Sequence, residues 1–89
     1  MPANTPAKVI MYATRFCPYC MRARRLLKSK DVEFEEIRVG SGNSLWKEME
    51  EKSGRNTVPQ IFINDESVGG YDDIALLNQQ GELDAKLGL

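Results

Sequence analysis

The chain holds two cysteines, and they stand three positions apart with a proline between them, as Cys17-Pro18-Tyr19-Cys20. Proline is favoured at the first position of a helix, because its missing N–H would have no intrahelical partner there. Residues 19–30 contain no further proline and no glycine, and Ala23, Leu26, Leu27 and Lys30 share one helical face. These residues predict a helix with Cys17 at or near its N-cap. In front of it, residues 8–13 (Lys-Val-Ile-Met-Tyr-Ala) are a short apolar run of the kind that forms a buried strand. A strand that feeds a helix opened by a cysteine sets the frame for the rest of the chain.

Residues 32–39 are strand-like, but their alternation slips between Phe34 and Ile37, so a strand with an irregularity is expected. Ser41-Gly42-Asn43-Ser44 is a loop offering a helix cap, and a helix is expected from about residue 45 to residue 53, with Gly54 as its stop. Residues 59–63 are apolar and β-branched, Asn64-Asp65 marks a turn, and Glu66-Ser67-Val68 is the short partner of a hairpin. Gly69-Gly70 breaks the chain. Asp72 or Asp73 can then cap a helix that carries Ile74, Ala75 and Leu77 and ends at Gly81. Leu83 and Leu87 predict a last short helical turn packed back on the body. The order β-α-β-α-β-β-α, with its first two strands parallel through a crossover helix, predicts an α/β fold with a four-stranded mixed sheet flanked by helices. Residues 1–7 read as a disordered lead-in and residues 8–89 as a single domain, since 89 residues suffice for one domain and not for two.

The composition narrows the function classes. Hydrophobic residues make up 42% and charged residues 28%, with a formal net charge of −1, an ordinary soluble balance. Nucleic-acid binders show a strongly basic domain or stripe, and no such excess is present. No apolar stretch is long enough to span a membrane. The first residues lack the charged front and apolar middle of a secretory signal. A small secreted domain stapled by disulfides carries several cysteines spread along the chain. One tight pair points instead to a reducing compartment, the cytoplasm, and to a reactive role. A bond closing so short a loop would constrain the unfolded chain little. A zinc site needs about four ligands, usually Cys or His; two cysteines and no histidine cannot complete one within this chain.

The thiolate, and not the thiol, attacks disulfides. At a helix start, free backbone N–H groups and the positive end of the helix dipole converge on Cys17, and Arg15 lies two residues before it. Both effects favour the charged form of Cys17. Cys20 lies one turn in and shares a face with Ala23 and Leu27, so its sulfur can reach Cys17 while staying more buried and less ionised. Cys17 is therefore expected to attack and Cys20 to resolve. A free thiol is only about 3% ionised at pH 7, so full ionisation gains roughly 30-fold in attacking species. Lowering a thiol pKa by about 3 units costs roughly 15–30-fold in nucleophilicity. The two nearly cancel, and the surviving advantage is at the leaving group, where a stabilised thiolate departs easily from a mixed disulfide.

Three motifs resemble those of the glutaredoxins, in order and in spacing. They are Cys17-Pro18-Tyr19-Cys20 after a first strand, Thr57-Val58-Pro59, and Gly69-Gly70-Tyr71-Asp72-Asp73. The likeness is to the short bacterial-type dithiol class and runs from about residue 8 to residue 87. It implies a thioredoxin-like fold and an enzyme that reduces protein–glutathione mixed disulfides and protein disulfides. Glutathione would be the co-substrate that recycles it, with no permanently bound cofactor. The resemblance also implies a cis bond before Pro59. This would leave the Val58 backbone free to pair with the cysteinyl part of glutathione like an added strand, with Thr57 flanking it. Gly70, Tyr71 and Asp72 would hold the γ-glutamyl end, its carboxylate on the amides that open the final helix and its ammonium on Asp72. Tyr19 would stand exposed beside the substrate.

Two positions depart from the family pattern. Thr14 occupies the place of a frequent lysine, and Arg15, one step later, is expected to reach the same carboxylate. Trp46, with Lys47 beside it, stands where many relatives carry Arg or Gln for the glycine carboxylate, so the glycyl end is the least defined part of the site. Arg22, Arg24, Arg25 and Lys28 form a basic stretch, either a solvated face or a surface that steers acidic partners toward Cys17. The implied partners are glutathione and glutathionylated or disulfide-bonded proteins, ribonucleotide reductase among the candidates, met by a monomer. Two rival readings are a protein disulfide reductase fed by a flavoprotein reductase and an iron–sulfur carrier whose two chains share a cluster through Cys17 and two glutathiones. The pocket of Gly70–Asp72 and Arg15 argues against the first, and Pro18, which stiffens the active turn, against the second.

Overall fold

Strand β1 (Val9–Ala13) is the hub of the sheet in the computed structural model, which describes residues 7–40 and 44–89. It pairs in parallel with β2 (Glu35–Arg38) and antiparallel with β3 (Gln60–Ile63), and β3 pairs antiparallel with β4 (Glu66–Gly69). The order across the sheet is β2-β1-β3-β4. Helices α1 (Pro18–Ser29), α2 (Ser44–Ser53), α3 (Tyr71–Gln79) and α4 (Leu83–Leu87) complete the order β-α-β-α-β-β-α-α. None of the described helices is long and apolar enough to cross a membrane.

The period of two along a strand divides the core. Val9, Met11 and Ala13 of β1 and Ile61 and Ile63 of β3 pack with Cys20, Ala23 and Leu27 of α1, Ile74 of α3, and Leu83 and Leu87 of α4. Tyr12 of β1 and Phe62 of β3 point to the other face, where they join Val39 and Met49 of α2. Both faces of the central strands are therefore covered, which is why they read as continuous apolar runs. The Tyr12 and Phe62 rings meet edge to face at 5.6 Å, and the Tyr12 hydroxyl donates to the Glu48 carboxylate at 2.8 Å. Trp46 is half-buried against this second cluster.

Several expectations need correction. The second strand is confined to Glu35–Arg38, and its first ladder pair is Ile10 with Glu35. Residues 32–34 lie outside the ladder, after the chain turns at Asp31 with φ 57°. The irregularity expected in that strand sits instead between β3 and β4, where Ile61 faces Gly69 but Phe62 faces Ser67. Asn64 and Asp65 both adopt positive φ, 51° and 68°, the geometry of a tight hairpin turn whose twist matches the flanking strands. Ala7, placed in the disordered lead-in, packs against the larger core cluster. The rest of that lead-in, and the loop residues 41–43 expected to cap α2, lie outside the described residues.

Candidate active site

Cys17 is the N-cap of α1, with φ −120° and ψ 116°, and Pro18 is the first helical residue. The Cys17 sulfur accepts the Cys20 backbone N–H at 3.3 Å. The Cys17 carbonyl accepts the Met21 N–H at 2.9 Å, the first turn of the helix. The sulfur thus sits on the amides that an α-helix leaves unpaired at its start. Both thiols are free; Cys17 is half-buried and Cys20 fully buried. Burial pushes the Cys20 thiol up to about 12, and its contact with Cys17 adds to this, while hydrogen bonds from the Thr14 backbone and side chain pull the other way. Thr14, which replaces the family's frequent lysine, is therefore a neighbour of the inner sulfur.

The Cys17 sulfur lies 3.9 Å from the Val58 carbonyl oxygen, and the Val58–Pro59 bond is cis. Val58 belongs to a groove of about 160 Å³. Thr57, Val58 and Pro59 supply part of its lining, Gly70, Tyr71 and Asp72 another, and Tyr19 joins them. Seven of the eight residues expected to contact glutathione are therefore brought together from three separate stretches of chain. The eighth, Arg15, is not among the lining residues; its guanidinium lies over the Phe16 ring, 5.4 Å from the centroid. Gln60 is fully buried below this loop and donates through Nε2 to the Thr57 carbonyl at 3.0 Å and to its hydroxyl at 3.2 Å.

Two groove residues are not among those expected to contact glutathione: Arg55, which no motif includes, and Asp73, expected only as a possible helix cap. The Asp73 carboxylate accepts the Gly70 N–H at 2.9 Å and pairs with Arg55 at 2.8 Å. These donors, the Gly70 amide first, hold the Asp73 carboxyl below the usual carboxylate range. Asp73 therefore caps α3, and the Asp72 side chain makes no hydrogen bond or ion pair among the described residues, leaving its carboxylate exposed in the groove. A Cβ at Gly69, where φ is +102°, would run into the Asp73 carboxylate, and one at Gly70 would come within 3.1 Å of the Pro59 carbonyl. The Gly69-Gly70 pair is the space that the cap and the loop need. Arg55 lies eighteen positions before Asp73, too far for any local pattern to join them. It also borders an open hollow of about 550 Å³ lined by Glu50, Gly54, Asn56 and Thr57.

The basic stretch on α1 is not uniform. Arg24 makes a two-point bond to Glu36 of β2, at 2.8 and 2.7 Å, and so ties the helix to the edge strand. Arg22 lies over the Tyr19 ring at 5.5 Å. Trp46, at the position where many relatives carry Arg or Gln for the glycine carboxylate, takes the packing role instead: it lies against the core cluster on the α2 face and is not among the groove's lining residues.

Comparison with known proteins accords with this arrangement. The family model described as Glutaredoxin matches residues 9–68. A glutaredoxin of Pseudomonas aeruginosa is 47% identical over 79 residues, covering 89% of this chain and 94% of the relative. Glutaredoxin 3 of Escherichia coli is 46% identical over 81 residues, covering 91% and 98%. The solution structure of a glutaredoxin from Brucella melitensis superposes with a TM-score of 0.84 at 46% identity, covering 97% of this chain and 94% of that one. With the thioredoxin-like sheet, the helix-capping cysteine and the groove beside it already in place, the chain belongs to the glutaredoxin family and is a glutathione-dependent thiol–disulfide oxidoreductase.

Proposed function

We propose that Cys17 is the nucleophile of two linked reactions, with glutathione held in the groove beside it. In the first, the Cys17 thiolate attacks the glutathione sulfur of a protein–glutathione mixed disulfide. The old S–S bond breaks, and its electron pair leaves on the protein sulfur. A second glutathione thiolate then attacks the bound glutathione sulfur, forming glutathione disulfide and returning Cys17 as thiolate. In the second reaction Cys17 attacks a protein disulfide. Cys20 then gives up its proton and attacks the Cys17 sulfur, which releases the reduced protein and leaves a Cys17–Cys20 disulfide for two glutathiones to reduce.

The observation that carries this reading is the position of the Cys17 sulfur, 3.3 Å from the Cys20 amide and 3.9 Å from the Val58 carbonyl oxygen at the groove. An extended ligand can pair with the Val58 backbone. Gly70, Tyr71 and the opening amides of α3 suit the γ-glutamyl carboxylate, and the exposed Asp72 suits its ammonium. Arg55 adds a cation to the same wall. Thr57 and Pro59 flank the cysteinyl part, and Tyr19 covers it from α1. Arg15, outside the groove, is left to contacts beyond glutathione. In this reading residues 8–89 work as one domain, a cytoplasmic monomer with no resident cofactor. Its substrates are glutathionylated or disulfide-bonded proteins, ribonucleotide reductase among the candidates.

The test uses two single substitutions and two substrates. Cys20→Ser should keep reducing a small glutathione mixed disulfide and lose most of its activity on a protein disulfide. Cys17→Ser should lose both, by at least about 10³-fold, as expected when the attacking group itself is removed. Survival of either activity in Cys17→Ser sinks the assignment.

A further inference from the structure

Phe16 immediately precedes the nucleophile and is 85% exposed, and Tyr19, two residues after it, is 51% exposed. Each ring carries a guanidinium over its face, Arg15 on Phe16 at 5.4 Å and Arg22 on Tyr19 at 5.5 Å. Aromatic and arginine side chains are the types that dominate binding energy at protein interfaces. Phe16 is not among the residues that line the groove, so glutathione does not account for it. The charge nearby is one-sided. Helix α1 contains no acidic residue. Arg24 is taken up by Glu36 and Lys30 by Asp84, while Arg15, Arg22, Arg25 and Lys28 have no acidic partner within 4.0 Å among the described residues.

We propose that Phe16 and Tyr19, with Arg15 and Arg22, form the docking face for the polypeptide joined to Cys17 in the mixed disulfide. The occupant is an extended segment with an apolar side chain and acidic residues next to its reactive cysteine. The two Cα atoms of a disulfide lie about 4.4–6.8 Å apart, so the neighbours of the partner's cysteine must land on the neighbours of Cys17. Those neighbours are an exposed ring on either side, each backed by an unneutralised cation. An apolar side chain of the partner covers a ring, and its carboxylates meet the guanidiniums. The inference rests on Cys17 being the nucleophile but not on the glutathione groove.

The experiment is run in the Cys20→Ser background without glutathione, so that only the Cys17 step is read. Two synthetic peptides each carry one cysteine activated as a thiopyridyl disulfide, flanked by Leu and Glu in one and by Leu and Lys in the other. Cys17 attacks the peptide sulfur, the bond to the thiopyridyl sulfur breaks, and thiopyridone leaves with the electron pair and is measured. At low salt the Glu peptide should react about 10-fold faster than the Lys peptide, and the gap should close as salt is added, because exposed charges are screened. Arg22→Glu should abolish or invert the preference. Phe16→Ser should slow both peptides by about 5-fold, the usual scale for a lost interface anchor. Both variants should react with neutral dithiodipyridine as the parent does. Equal rates for the two peptides, with dithiodipyridine reacting, overturn the docking face alone. Equal slowing of dithiodipyridine by Phe16→Ser also overturns it. No reaction with dithiodipyridine in the parent defeats the Cys17 assignment, and the docking face with it. A parent dimer that Phe16→Ser converts to monomer in sedimentation would give the face to a second copy of this chain and overturn the peptide partner.

Discussion

Cys17 and Cys20 are one helical turn apart, yet one reaches solvent and the other does not. With its thiol pushed up to about 12 by burial, Cys20 stays protonated and covered where most proteins are handled. Iodoacetamide at about pH 7–9 should therefore label Cys17 alone, because the thiolate is the reacting species. Mass spectrometry should find Cys20 labelled only after unfolding. Label on Cys20 in the native protein would contradict its burial. Asp72 and Asp73 are adjacent but differ in their contacts: Asp73 caps α3 and pairs with Arg55, while the Asp72 side chain is exposed in the groove, where we propose it meets glutathione. Asp73→Ala removes the acceptor of the Gly70 N–H and the partner of Arg55, so it should cost about 1 kcal/mol of stability, the usual worth of a helix cap, and also raise the KM for glutathione. Asp72→Ala should leave stability within about 0.5 kcal/mol, as for an unpartnered surface residue, and raise only the KM. Denaturant unfolding and steady-state kinetics on the two variants separate the cap from the ligand contact.

At the scale of elements, the site is an agreement between two junctions. The β1–α1 junction delivers the sulfur, and the β4–α3 junction delivers the groove wall opposite Val58. The second junction depends on Gly69, where φ is +102° and where a Cβ would run into the Asp73 carboxylate, so there is no place for a side chain. Gly69→Ala is therefore expected to cost at least about 1–2 kcal/mol, the penalty for an L-residue held in a left-handed region. It should also displace the Asp73 cap and weaken glutathione binding. A thermal melt and a binding isotherm check the two effects; a Gly69→Ala protein that melts and binds like the parent would mean that the junction relaxes freely. Gly54 has a similar φ of +73°, but a Cβ there would meet nothing within 4 Å. Its substitution should cost only the backbone penalty and leave binding alone.

For the whole molecule, pH dependence follows from which groups the fold leaves neutral and which it leaves charged. Burial pushes Cys20 from 9.0 to about 12, and burial with the Glu48 contact pushes Tyr12 from 10.0 to about 12. Between those values the unfolded chain releases protons that the folded one keeps, so stability falls as pH rises from about 9 toward 12, by up to about 1.4 kcal/mol per pH unit for each group. The opposite sign holds for Glu36, held down chiefly by Arg24, and for Asp73, held down by the Gly70 amide. Their stabilisation is present above the ordinary carboxylate range and is lost as pH falls through and below it. Urea unfolding across pH should show both limbs, with Glu36→Gln flattening the acid one and Tyr12→Phe the alkaline one. An alkaline limb unchanged in Tyr12→Phe would refute its share. Much of this molecule was legible in its residues. The strand–helix entry, Cys17 as cap, the hairpin turn at Asn64-Asp65, and the outward and inward faces of α1 all follow from local chemistry, because proline, glycine and apolar spacing act within a few residues. The sequence by itself also marked the Cys17–Cys20 pair and, through its three motifs, eight of the nine groove-lining residues. Only the tertiary structure decided what depends on contacts between distant segments. It gave the groove Arg55 rather than Arg15, made Asp73 and not Asp72 the cap, and drew Arg24 out of the basic face to Glu36. A carboxylate or a guanidinium takes whichever partner the packing of strands and helices brings within about 3 Å, and no spacing along the chain states that distance.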